Sequence, residues 1–168
     1  MTSNALFKVR NPKRSYGTKP AIDSLRQAAD KFSKRAPGSI IRVGDMSWLG
    51  GGKMKPHASH RKGLDVDLGY FRNASAQVPY FFYHTTHKTV DADRTWALVE
   101  ELLNTKNVEY IFMGRDIQSA LYKKARAAGY SKRALSTIFQ YPRNSWKRTG
   151  TIRWSKGHNT HFHVRFRR

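Results

Sequence analysis

Two short runs of strict alternation constrain this chain more than any other feature. Residues 64 to 69 read Leu-Asp-Val-Asp-Leu-Gly, and residues 161 to 166 read His-Phe-His-Val-Arg-Phe. In an extended chain successive side chains point to opposite faces. Leu64, Val66 and Leu68 therefore enter a core while Asp65, Asp67 and Gly69 share the other face. By the same rule Phe162, Val164 and Phe166 go inward, and His161, His163 and Arg165 stand together outside. A fold that accepts both runs needs a sheet with one buried face and one polar face.

The rest of the chain supplies helices to cover such a sheet. Ile22, Leu25, Ala28, Ala29 and Phe32 recur at spacings of three and four and close near Pro37 and Gly38, which predicts an amphipathic helix over 21–35. Ile40, Ile41 and Val43 read as a short strand. Trp96, Val99, Leu102 and Leu103 make a second helical stripe with Glu100 and Glu101 outward, followed by a buried strand at Tyr110, Ile111 and Phe112. A third helix runs from Ile117 to Ala128 and stops at Gly129. The run at 78–83 (VPYFFY) also has strand composition. Helices and strands mix without a regular βαβ alternation, so the class is α+β. With 168 residues, no internal repeat and no composition break, residues 1–168 read as one domain.

Composition narrows the chemistry. Cysteine is absent, which excludes disulfides, thiolate metal ligands and a cysteine nucleophile. Any metal must be held by histidine and carboxylate. The 32 Lys and Arg against 11 Asp and Glu give a net charge of +21, spread from Lys8 to Arg168, and point to an anionic partner: nucleic acid, an acidic cell-wall polymer or an anionic membrane surface. No apolar run is long enough for a membrane-spanning helix. The first residues lack the apolar core of a signal peptide, so either export is not encoded here or the numbering starts after processing.

Five of the seven histidines fall in two segments, HASHRKGLDVDLGY from His57 to Tyr70 and GHNTHFHVRF from Gly157 to Phe166. Gly63 supplies a bend between His60 and the Asp65–Asp67 strand, so an imidazole before the turn and a carboxylate after it can converge on one cation. His161 and His163 are neighbours on one strand face. Both can ligate a metal, or one can ligate while the other takes a proton from a bound water. Asp65 has two readings: a hydrogen bond to a ligand imidazole, or a salt bridge with a nearby Lys or Arg. Arg165 could clamp a substrate carboxylate or pair with Asp65 or Asp67.

The block GGKMKPHASHRKGLDVDLGY with the preceding VGDMS, the terminal GHNTHFHVRF, and the intervening DADRTWALVEELL and VEYIFMGRDIQSALY resemble the penicillin-insensitive murein endopeptidases, zinc metallopeptidases of the bacterial cell wall. The paired patterns H-x-x-H-x6-D and H-x-x-H-x-H carry the likeness, which runs from about residue 43 to the end and is loose over residues 1–40. The resemblance implies an α+β core of the lysostaphin and D-Ala-D-Ala carboxypeptidase type, in which a small antiparallel sheet flanked by helices carries zinc. It implies His60, Asp67 and His163 as the metal ligands and His161 as general base. His158 would orient the water or steady the oxyanion. His57 would be a supporting donor or a ligand of an accessory second metal. The implied substrate is the peptide cross-link of peptidoglycan, of the D-alanyl to diaminopimelyl type. Cysteine-free and without a signal, the chain departs from disulfide-bonded periplasmic members. Its expected place is the cell envelope or periplasm or outside the cell, or the cytoplasm until lysis if a phage encodes it.

Other residues carry less. His84 and His87 read as surface histidines before a second metal pair. Trp48, Trp96, Trp146 and Trp154 read as core or groove wall, Trp96 as core, and Trp154, near His158, as a wall of the cleft. Two other functions compete: a basic nucleic-acid-binding protein on a non-catalytic zinc fold, supported by charge alone, and a zinc carboxypeptidase or amidase acting on wall peptides. The expected partners are peptidoglycan and anionic wall polymers, with no stable protein partner.

Overall fold

The computed structural model describes residues 1–73 and 81–168. Six strands form one sheet in the order β1-β2-β3-β6-β4-β5, where β1 is Phe7–Val9, β2 Ile41–Val43, β3 Asp65–Gly69, β4 Val108–Met113, β5 Ile152–Trp154 and β6 His161–Phe166. The helices are α1 (Lys19–Arg35), α2 (Ala92–Asn104), α3 (Arg115–Ala127) and α4 (Lys132–Ile138). The class is α+β. The sheet is not purely antiparallel, however: the central β2, β3, β6 and β4 pair antiparallel, while β1 joins β2, and β5 joins β4, in parallel.

Both alternating runs form strands in the expected sense, and they pair with each other. Val66 lies opposite Val164 and Leu68 opposite Phe162. Those side chains, with Phe166, are fully buried in one cluster with Leu25 and Phe32 of α1, Leu98 and Leu102 of α2, and Ile117 and Leu121 of α3. A one-residue slip of β6 would turn Phe162, Val164 and Phe166 out to water. At about 2 kcal/mol per buried side chain, exposing this face costs on the order of 5–10 kcal/mol, comparable to a domain's whole stability. Burial on the helix side thus fixes which side chains stand together on the other.

The helix boundaries follow local chemistry. Pro20 sits in the first turn of α1, the Asp91 side chain accepts the Arg94 N–H at the start of α2, and Gly129 with φ +89 closes the end of α3. Glu101 does not face outward as its stripe suggests. Because α2 packs against both α1 and α3, a second side of it is covered, and Glu101 is buried on the Arg35 guanidinium at 2.7 Å. Ile40 is half exposed and lies outside β2. Of the expected strand at 78–83, residues 81–83 run as a bend and coil, and the remainder lies outside the described residues. No helix among the described residues is long and apolar enough to cross a membrane.

Candidate metal centre

The β3–β6 ladder sets three rungs side by side on the polar face: Asp65 opposite Arg165, Asp67 opposite His163, and Gly69 opposite His161. His60 reaches the same face from the loop before β3. That loop turns at Gly63, whose φ is +66 and where a Cβ would come within 2.9 Å of the Thr18 backbone nitrogen, so only glycine fits. His60 is buried, and its Nδ1 donates to the Met46 carbonyl at 3.0 Å, which leaves Nε2 with a lone pair. His163 Nε2 faces Asp65 Oδ1 at 3.0 Å, so in the neutral ring Nε2 carries the proton and Nδ1 the lone pair.

Those two nitrogens and Asp67 Oδ1 form a nearly equilateral triangle: His60 Nε2 to His163 Nδ1 3.1 Å, His163 Nδ1 to Asp67 Oδ1 3.1 Å, and His60 Nε2 to Asp67 Oδ1 3.2 Å. Ligands bonded at about 2.0–2.1 Å in a tetrahedral zinc site lie about 3.3 Å from one another. The donor set of two imidazoles and one carboxylate therefore fits a small divalent cation in both chemistry and spacing. Three lone pairs at this separation repel unless a cation lies among them. The ionisation behaviour of the free protein says the same. Burial opposes charge on His163, but hydrogen bonds to Asp65 and Asp67 outweigh it and hold its pKa up at about 9. Burial likewise opposes charge on Asp67, yet His163 and His60 hold it well below the usual carboxylate range.

The surrounding groups fix this geometry. Asp65 is completely buried, and Arg165 Nη1 reaches its two oxygens at 3.1 and 2.9 Å. Asp65 thus both holds the His163 imidazole and pairs with a cation, so its two readings hold together, and Arg165 takes the pairing course. His57 lies on the other side of Asp67. Its Nε2 is 2.8 Å from Asp45 Oδ2, its Nδ1 is 3.7 Å from Asp67 Oδ2, and it can join His60 and Asp67 as a group able to hold a metal. Asp45 is buried and also meets Arg10 and Arg14.

His161 Nε2 is 3.6 Å from Asp67 Oδ1, its Nδ1 is 2.9 Å from Thr160 Oγ1, and its ring stacks on Phe82 at 5.1 Å. His158 packs 5.3 Å from the His161 ring, and its Nδ1 donates to the carbonyls of Ser155 and Lys156. Burial lowers the pKa of both, His161 to about 4. The free nitrogen of His158 is then an acceptor, which suits orienting a water rather than steadying an oxyanion.

Trp154 does not share this face. Its partner on β4 is Met113, a core residue, and Trp154 alternates with Arg153, whose guanidinium lies over the Tyr110 ring on the His163 side. Nearness to His158 along the chain misleads here because alternation sends the indole to the opposite face. Trp146 is 75% exposed rather than core or groove wall, and Trp96 is core. His84 is exposed; His87, also exposed, lies 3.7 Å from Asp116. Sequence reasoning missed Asp45, Phe82, Tyr110 and Phe112 as site neighbours. The VGD run ending β2 was the available signal for Asp45, whereas nothing local marks Phe82.

A protein family described as penicillin-insensitive murein endopeptidase matches residues 2–168 of this sequence. The chain belongs to that family. The match takes in the first 40 residues, which supply Arg10 and Arg14 to the neighbourhood of Asp45. A relative from Yersinia enterocolitica bearing the same description is 34% identical over 68 residues, a stretch that covers 39% of this chain and 24% of that protein. The chain thus spans about a quarter of the length of that curated relative.

Proposed function

We propose that residues 1–168 act as one zinc-dependent endopeptidase domain that hydrolyses the peptide cross-links of bacterial peptidoglycan. One observation carries the reading: His60 Nε2, Asp67 Oδ1 and His163 Nδ1, drawn from segments 96 and 103 positions apart, converge within 3.2 Å with their lone pairs inward. Family membership supplies the substrate class.

His60, Asp67 and His163 would hold the ion, and Asp65 keeps the His163 ring turned so that Nδ1 faces it. A zinc ion bound there supplies a Lewis acid for the scissile carbonyl and an acidified water. With its Nδ1 proton given to Thr160, His161 presents Nε2 beside Asp67 and takes the proton released as the water attacks. The same nitrogen returns that proton to the leaving amine. His158 accepts a hydrogen bond from the water and orients it. His57, fixed by Asp45, lines the other side and is the residue nearest to serving an accessory metal. Since no side chain becomes acylated, a β-lactam leaves the reaction untouched.

The site of action would be the cell envelope, where peptidoglycan lies, and the net charge of +21 would hold the enzyme on anionic wall polymers. Zinc analysis and digestion of purified peptidoglycan, with and without a chelator, test the proposal. About one zinc per chain and metal-dependent conversion of muropeptide dimers to monomers support it. Absence of both, with salt-sensitive DNA binding instead, would establish the nucleic-acid reading. Fragment masses separate an endopeptidase from a carboxypeptidase or amidase.

A further inference from the structure

A cleft of about 680 Å³ opens beside the metal centre. Asp67, His57 and His161 line it, and so do three cations, Arg10, Arg14 and Lys55. The two lining acids are already committed. Asp67 belongs to the centre, and Asp45, 1% exposed, meets Arg10 at 2.7 Å, Arg14 at 2.6 Å and His57 at 2.8 Å. Asp45 holds both guanidinium groups from behind, while the Arg10 and Arg14 side chains stay 39% and 21% exposed. Arg14 also donates to the Lys55 carbonyl, which ties the loop carrying Lys55 to the same cluster. Phe82 touches both ends of the arrangement, stacked on His161 and lying under the Arg10 guanidinium at 5.3 Å.

Two guanidinium groups and an ammonium set against one buried carboxylate leave a surplus of positive charge, and the two guanidinium groups are fixed by Asp45 before any ligand arrives. Planar, pinned guanidinium groups of this kind match a carboxylate. We propose that Arg10, Arg14 and Lys55 form a carboxylate subsite that selects the amine side of the scissile bond. The proposal rests on the endopeptidase reading. In a D-alanyl–diaminopimelyl amide, the carbon bearing the scissile nitrogen also bears a free carboxylate. Asp67 Oδ2, His57, Asp45 and Arg14 form a chain of contacts of 3.7, 2.8 and 2.6 Å, and the cations line the same cleft as Asp67 and His161, on the path of a substrate whose scissile bond lies at the centre.

The test compares a cross-linked muropeptide dimer carrying that carboxylate with the same dimer carrying a carboxamide there. The zinc-loaded protein cleaves the carboxylate form with kcat/KM about tenfold or more above the amide form. Lys55→Gln and Arg10→Gln bring the ratio toward one, whereas Lys123→Gln, which removes one charge from the exposed face of α3, leaves it unchanged. Equal rates for the two dimers, or variants that slow both equally, would overturn the subsite. If zinc-loaded protein cleaves neither dimer, the endopeptidase reading fails by itself. The subsite is then read from calorimetric binding to zinc-loaded His161→Ala protein: tighter binding of the carboxylate dimer upholds it, and equal binding overturns it.

Discussion

Two neighbouring rungs of one ladder behave differently. Asp65 and Asp67 are both buried carboxylates on β3, and each faces a basic residue on β6. Opposite Asp65 stands Arg165, which always carries its proton, so that rung is closed by a cation the chain itself provides. Opposite Asp67 stands His163, whose Nε2 proton goes to Asp65 and whose Nδ1, facing Asp67, presents a lone pair only once it gives up its own proton. That rung, joined by His60, is the one that would take a metal ion in place of a proton under the proposed function. One strand pair therefore carries a structural ion pair and, two residues along, the proposed metal-binding rung, and the difference lies in whether the basic partner keeps its proton or can give it up to a metal. The third rung, Gly69 and His161, has no opposing side chain, so Phe82 packs across it.

The sharpest break in the comparison is removal of the proposed metal-binding rung. His163→Ala lowers bound zinc from about one per chain to near zero and peptidoglycan hydrolysis by about a thousandfold, checked by metal analysis and muropeptide chromatography. Arg165→Met strips the self-contained rung instead. It leaves the Asp65 charge buried with His163 as its remaining partner, and denaturant melts should show a loss of about 3 kcal/mol. Asp65→Asn acts on both rungs, weakening the hold on His163 without removing a ligand; zinc affinity, read by chelator competition, falls about ten- to a hundredfold. The smallest effect belongs to the third rung. A Cβ at Gly44 would meet the Phe82 ring at 2.6 Å, so Gly44→Ala shifts Phe82 off His161. It lowers kcat by about threefold to tenfold with zinc content unchanged.

The alternating runs carried most of this into view. Period-two patterning at 64–69 and 161–166 fixes which side chains share a face, and because β3 and β6 pair directly, it places Asp65, Asp67, His161, His163 and Arg165 together. The turn at Gly63 did the same for His60. Hidden from the sequence was everything contributed by distant edges. Asp45 arrives just past β2, marked only by the VGD run, while Arg10 just past β1 and Arg14 in the turn that follows have no local pattern that announces a site. The parallel outer strands were invisible for the same reason, since three-residue strands such as β1 and β5 are too short to show a period. Glu101 misled because a helix stripe predicts one buried side, and α2 has neighbours on two.

Anomalous diffraction at the zinc edge from crystals of the zinc-loaded protein probes the three-lone-pair arrangement most directly. One strong peak is expected about 2.0–2.1 Å from His60 Nε2, Asp67 Oδ1 and His163 Nδ1 together. A peak at other side chains, or none between these three atoms at saturating zinc, would contradict it.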